Sequence, residues 1–252
     1  MTARTSHDTD WIGARDIAHR GLHGTAPGRI ENTLSAIDAA ASKGYAVEID
    51  VQVTVDNLIA VFHDRTAERL AGQKHRIGAL TLSECQQMPL ADSDQRIPSL
   101  PDTLDCVAGR VPIYIELKSW SDTPLPLLCA GVRRALEGYR GDVAIMSFDR
   151  NIVEWFARVV PALPRGLVIG RGALLNLRHR LRLPLWLWRQ NPAFLACDIN
   201  LLPNGLCRRW RASDKPLLTW TVRDKKQENI GRQHADALIF EAPAIVGNGT
   251  QG

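Results

Sequence analysis

The 252-residue sequence contains no CxxC pair, although it has five cysteines at irregular spacing (Cys85, Cys106, Cys129, Cys197 and Cys207). Neither a zinc knuckle nor a dithiol redox motif is therefore expected. It also lacks any run of about 18 apolar residues, so no ordinary membrane-spanning helix is encoded. Residues 1–10 alternate polar and charged groups without the apolar stretch of a secretory signal. With unpaired thiols, that predicts a cytoplasmic protein. The only GxGxxG match is 247–252, with no helix to follow, and reads as a frayed tail rather than a dinucleotide fingerprint. Aromatic residues at an RNA-binding spacing are missing too, so no nucleic-acid partner is expected. The most lopsided absence is acidic. Residues 155–197 hold no Asp, Glu or Lys but seven arginines, a local +7 in a chain of net charge +4. One surface is thereby marked for an anionic partner.

What is present is ordinary for a folded protein: 45% hydrophobic and 23% charged residues, in a chain long enough to bury a large core. Apolar runs bounded by turn residues predict strands over 16–20, 46–55, 58–62, 111–117, 143–148, 166–169, 194–199, 216–222 and 237–240. Helical patterns lie between several of them. Residues 33–43 follow Asn32 as a possible cap, 81–88 open on a Thr81/Glu84 capping-box spacing, 151–160 stop before Pro161, and 224–234 start at Asp224. Strands alternating with helices at this length predict a single-domain (β/α)8 TIM barrel over 1–252, with 1–14 and 247–252 as flexible ends. The nine strand candidates exceed eight by one. The gap between Asp50 and Leu58 is too short for a helical crossover, so part of 51–55 is expected to be a hairpin arm. Residues 65–110 are expected to make a long excursion.

Polar residues sit at the ends of these apolar runs: His19-Arg20 after Ile17-Ala18, Glu48 and Asp50 after Val47, His63-Asp64 after Val61-Phe62, and Glu116 with Lys118 after Ile115. Residues two apart in a strand share a face, which pairs Glu48 with Asp50 and Glu116 with Lys118. In this barrel class, polar groups at C-terminal strand ends carry catalysis. Three converging carboxylates repel one another unless a cation lies between them. Glu48, Asp50 and Glu116 offer hard oxygen ligands suited to Mg2+ or Ca2+. His19 and His63 are candidates for an acid–base pair. Arg20 and Lys118 supply positive charge for a phosphate. Together these groups describe metal-assisted phosphoryl chemistry.

The ordered series His19-Arg20-Gly21, Glu31-Asn32-Thr33, Glu48-Ile49-Asp50-Val51 with Thr54 and Asp56, His63-Asp64, Ile97-Pro98-Ser99-Leu100, Glu116-Leu117-Lys118, Ser147-Phe148-Asp149 and Trp220-Thr221-Val222 resembles the glycerophosphodiester phosphodiesterases. The resemblance implies a phosphatidylinositol-phosphodiesterase-like (β/α)8 barrel. It also implies a divalent cation on Glu48, Asp50 and Glu116, acid–base work by His19 and His63, and phosphate held by Arg20 and Lys118. Three positions depart from the family pattern. Ile30 stands where proline is usual, Asn57 where glycine is common, and Phe240-Glu241 where the family closes on Thr-Asp. The roles of Glu31, Asn32 and Glu241 therefore stay open, Asn32 being a helix cap or a site-orienting group. Trp220 is placed either to stack on substrate or to pack inside.

The expected activity is hydrolysis of a glycerophosphodiester to glycerol 3-phosphate and an alcohol. The alternatives are a lysophospholipase D acting on lysolipid diesters, and a binding protein without turnover. Residues 171–190 combine Leu174, Leu177 and Leu181 at helical spacing with arginines, and Pro184 is expected to break that pattern before Leu185-Trp186-Leu187-Trp188. This composition predicts either peripheral contact with an anionic membrane, at the inner membrane face, or an ordinary barrel helix with leucines inward.

Overall fold

A computed structural model describes the backbone of residues 9–172 and 177–241, and side chains over 9–172 and 181–241. Leu174, Leu177 and the 247–252 tail lie outside the side chains or segments described. The chain divides into two compact units, one of Ala18–Val143 and another of Met1–Ile17 with Ala144–Gly252.

The first unit carries β1 (Ile17–His19, its first residue in the other unit), α1 (Leu34–Ser42), β2 (Ala46–Val53), β3 (Ile59–Val61), α2 (Glu68–Ala71), α3 (Leu82–Gln87), α4 (Leu100–Val107), β4 (Ile113–Leu117) and α5 (Leu125–Ala135). β2 does two jobs. Its body pairs in parallel with β4, placing Asp50 beside Glu116, while its last residues pair antiparallel with β3, Val51 opposite Val61. The expected hairpin forms, with Val51–Val53 at the end of β2 as one arm and β3 as the other, and β3 delivers His63 just beyond its end. Because β2 is buried along its whole length, Val47, Ile49 and Val51 fill one face while Glu48, Asp50 and Gln52 occupy the other. The excursion after β3 holds α2, α3 and α4 and has a small core of its own, centred on Phe62, Ile77, Cys85, Leu90 and Ile97. α3 starts on the Thr81/Glu84 capping box that the sequence predicts.

The second unit runs β5 (Val143–Ser147), α6 (Arg150–Val159), β6 (Arg165–Ile169), α7 (Leu177–Gln190), β7 (Phe194–Asp198), α8 (Gly205–Arg211), β8 (Leu217–Val222), α9 (Lys225–His234) and β9 (Ala237–Phe240). β5 to β9 pair in parallel with their sequence neighbours. Among the described residues, β1, β2 and β4 to β9 with their connections are the repeats of a (β/α)8 barrel; β3 is the additional arm. All five cysteines are free thiols, four of them buried.

α7 corrects one expectation: the helix continues through Pro184. Proline removes one i to i−4 bond, here to the Arg180 carbonyl. Burial of Leu183 and Leu187 on either side holds the helix across that gap. The opposite face is open. Leu181, Leu185 and Trp188 are 70%, 68% and 80% exposed, so leucines face both ways.

Candidate active site

The turn after β1 is the most constrained backbone of the site. Arg20 has φ +55° and Gly21 φ +78°, and a Cβ on Gly21 would lie 2.6 Å from the Ala36 carbonyl carbon. Only glycine lets α1 approach this closely. The turn points the Arg20 N–H at Glu48 Oε2, 3.1 Å away. The Arg20 guanidinium then reaches Asp50 Oδ2 at 3.1 Å and Glu31 Oε1 at 2.8 Å. His19 Nε2 lies 3.8 Å from Glu48 Oε2.

Glu48, Asp50 and Glu116 each offer a carboxylate oxygen, and these oxygens lie within 4.8 Å of one another in a buried cluster. Glu48 Oε1 accepts no hydrogen bond from the described residues. Lys118 answers part of the negative charge, with Nζ 2.6 Å from Glu116 and 3.2 Å from Asp50. Burial, with Asp50 and Glu116 alongside, pushes Glu48 well above the usual carboxylate range. Burial raises Glu116 as well, against the pull of Lys118. Asp50 goes the other way: burial opposes its charge, but Lys118 and Arg20 overcome that and hold it low. Glu48, with its unused buried oxygen, would ionise readily only beside a cation. The all-oxygen donor set fits a hard divalent ion.

His63 and His19 meet different neighbours. His63 Nδ1 is 2.7 Å from Asp64 Oδ1. Burial raises the Asp64 carboxyl but Arg69 and His63 lower it further, so it is a carboxylate that can only accept. His63 therefore carries its proton on Nδ1, and Nε2 presents a lone pair. Burial holds His63 below the usual imidazole value, opposed by Asp50.

Two groups settle roles left open by the sequence, and two more join the site without having been singled out in it. Asn32 does not cap α1. Thr33 takes that position, while the Asn32 side chain donates to Asp50 Oδ2 at 2.9 Å and accepts from the Asp50 N–H at 3.2 Å. Its φ of +58°, tolerated by asparagine, makes this reach possible. Glu31 receives Arg20 and, at 2.6 Å, Arg69. Arg69 also donates to Asp64 at 2.5 Å, so one chain of ion pairs runs Arg20–Glu31–Arg69–Asp64–His63. Arg69 sits on the four-residue α2, where no periodicity announces it. Gln52 is the third polar residue on the Glu48/Asp50 face, and period-two spacing alone would have found it. Its amide donates to the Phe62 and Asp64 carbonyls at 2.8 Å each, tying β2 to the His63 loop. Glu241 accepts from Arg223 at 2.7 Å.

Seven of the eight residues singled out by sequence (His19, Arg20, Glu48, Asp50, His63, Glu116 and Lys118) fall in the unit of Ala18–Val143. Trp220 is on β8 in the other unit. Its indole N–H donates to the Ala196 carbonyl at 3.0 Å and its ring meets Phe148 edge-on, centroids 5.3 Å apart. The polar end of the ring is thus spent on backbone.

Comparison with known proteins finds that residues 19–244 match the glycerophosphoryl diester phosphodiesterase family. A glycerophosphodiester phosphodiesterase of Caldanaerobacter subterraneus is 26% identical over 243 residues, covering 92% of this chain and 96% of that protein. A Bacillus subtilis relative is 28% identical over 165 residues, and the match spans only 64% of its length. Among solved structures, an Oleispira antarctica phosphodiesterase in complex with the product sn-glycerol-3-phosphate superposes with a TM-score of 0.79 at 22% identity, covering 91% of this chain and 93% of that one. At that identity the likeness establishes the fold.

Proposed function

The chain belongs to the glycerophosphoryl diester phosphodiesterase family of phosphoric diester hydrolases, and from that premise we propose that it hydrolyses glycerophosphodiesters to glycerol 3-phosphate and an alcohol. The observation that carries this is the buried Glu48/Asp50/Glu116 cluster with His19, His63 and two cations around it. Glu48, Asp50 and Glu116 would hold Mg2+ or Ca2+, which when bound neutralises the carboxylates and polarises a phosphoryl oxygen. Lys118 donates one N–H to Glu116, pairs with Asp50 by charge at 3.2 Å, and keeps a further N–H donor for a phosphate oxygen beside Arg20. His63 Nε2, neutral and oriented by Asp64, takes a proton from the nucleophile as its oxygen bonds to phosphorus and the bond to the alcohol oxygen breaks; the nucleophile is water, or the neighbouring glycerol hydroxyl with water then opening the cyclic phosphate. His19, on the Glu48 side, returns a proton to the departing alkoxide.

The test is glycerol 3-phosphate release from glycerophosphocholine and glycerophosphoethanolamine, with and without EDTA. Release that EDTA abolishes and Mg2+ or Ca2+ restores is expected. No glycerol 3-phosphate from any diester overturns the proposal.

A lipid-bearing substrate is favoured by one observation, the exposed Leu181, Leu185 and Trp188 face of α7. Spacings of four and three put these residues on one side of the helix. Arg182 and Arg189 are exposed on the same helix, and residues 155–197 contain no acid. Not every arginine of the run is available: Arg165 donates to the Gln190 carbonyl at 3.0 Å, and Arg171 lies 3.8 Å from Asp198. Trp186 is engaged as well, donating to Glu154 beneath the Arg150 guanidinium. Apolar side chains rimmed by arginine suit an anionic phospholipid surface. Among the described residues no helix is long and apolar enough to cross a membrane, so the contact would be peripheral. Anionic vesicles should co-sediment the protein at low salt, less so at high salt, and Trp188→Ser should weaken binding. Wild type left wholly in the supernatant at low salt makes α7 a plain barrel helix and small soluble diesters the substrates.

A further inference from the structure

Beyond Lys118 the chain builds a second cleft, of about 290 Å³, lined by Gln52, Arg65, Arg76, Lys118, Trp120 and Asp122 among others. That is near the lower limit of small-molecule sites, roughly 300 Å³, and leaves room for a polar headgroup. Its walls are rigidly tied to the catalytic loop. Gln52, whose amide already holds the Phe62 and Asp64 carbonyls, accepts the Trp120 indole N–H at 3.1 Å. The opposite wall is basic. Arg65 donates to Asp122 Oδ2 at 2.8 Å, and Arg76 donates to the same oxygen. The backbone keeps the two arginines together, since the Ile77 N–H donates to the Arg65 carbonyl at 3.0 Å and Thr66 bridges to Arg76. One carboxylate therefore answers two guanidinium groups, each with five N–H donors, and a positive charge is left over. The Lys118 charge is offset on its other side by Glu116 and Asp50.

Resting on the function proposed above, we infer that this cleft receives the alcohol arm of the diester and selects arms bearing a negative group, such as a second phosphate, over cationic arms such as choline. Lys118 belongs both to the carboxylate cluster and to the cleft, so an arm leaving a phosphate held there enters the cleft directly. The glycerol arm is uncharged and gains little from a basic wall. The alcohol arm is the part that varies in charge. An anion there meets unshared guanidinium donors, whereas an ammonium meets the net positive charge of Arg65 and Arg76.

The experiment compares kcat/KM for glycerophosphoinositol 4-phosphate and glycerophosphocholine at low salt. At the usual worth of an exposed charge pair, two arginines give a preference of roughly two- to thirtyfold for the anionic diester. Salt should shrink that ratio. The double variant Arg65→Gln/Arg76→Gln should lower it, and Asp122→Asn should raise it, because it frees both arginines. If the arginines serve only to clamp Asp122, Asp122→Asn and the arginine variant move the ratio the same way or leave it alone, which overturns the inference. So does a wild-type enzyme that hydrolyses both diesters equally or prefers choline, with the proposed function left standing. Hydrolysis of neither diester overturns both.

Discussion

Asp64→Asn tests the base assignment through a single proton. The Asp64 carboxylate is split between two partners, with Oδ1 2.7 Å from His63 Nδ1 and Oδ2 accepting from Arg69 Nε at 2.5 Å. An amide in the same place must offer Arg69 its oxygen, since a guanidinium only donates. Its NH2 group then faces His63, donates to Nδ1 and moves the ring proton to Nε2, the nitrogen that has to be a lone pair. The expected loss in kcat is that of deleting a general base, ~10²–10⁴-fold. Asp64→Ala removes the orienting bond without imposing the wrong tautomer. A hydrogen bond to a charged group contributes ~1.5–3 kcal/mol. Side-chain exposures of 28% for His63 and 24% for Asp64 place this one at the low end, a loss of about tenfold. Glycerol 3-phosphate release should rank wild type above Asp64→Ala, and Asp64→Ala above Asp64→Asn. An asparagine variant as active as the alanine variant would refute the tautomer assignment, and with it His63 as the base.

Burial holds His63 below its ordinary 6.5, with Asp50 opposing; a base works unprotonated, so the acid limb of the kcat/KM profile should lie below pH 6.5, activity falling as pH drops through it. A limb above pH 6.5 contradicts this. Burial beside Asp50 and Glu116 raises Glu48 well above the usual carboxylate range, so without metal the folded protein must protonate it at neutral pH, which costs stability. Glu48→Gln removes that cost and should raise the Tm of metal-free protein, by about 2–4 °C per kcal/mol removed, while abolishing most of the Tm gain from Mg2+ or Ca2+. A variant that melts lower yet keeps its metal-induced gain rules the ligand set out. Gly21→Ala combines φ +78° with a Cβ 2.6 Å from the Ala36 backbone, and should cost about 2–4 kcal/mol in urea unfolding; a loss below about 1 kcal/mol would mean the turn relaxes freely.

The strands and most of the site are legible in the sequence because β2 and β4 are short apolar runs whose polar members fall at period two. Glu48, Asp50, Glu116 and Lys118 stand out on that account, and the parallel register that brings Asp50 beside Glu116 follows from the fold class. The surplus strand is legible from loop length alone. Asn32 is half legible: it stands just before a helix and looks like a cap, but a positive φ turns its amide onto Asp50 instead. Arg69 is not legible, since Glu31 is 38 residues away and the four-residue α2 is too short for its periodicity to mark a face. Pro184 misleads for the opposite reason. Local propensity ends a helix there, and packing of Leu183 and Leu187 carries it on.

All the charged groups assigned to the chemistry lie between His19 and Lys118, inside one of the two units. Seen as heredity rather than as geometry, that makes the reaction a property of one contiguous stretch of coding sequence. A recombination breakpoint downstream of Lys118 would pass on the carboxylates proposed to hold the cation, the two histidines, Arg20 and Lys118 together, along with the Arg65/Arg76 wall. The arginine-rich α7 would assort separately. Changes confined to α7 would therefore leave every one of those charged groups in place.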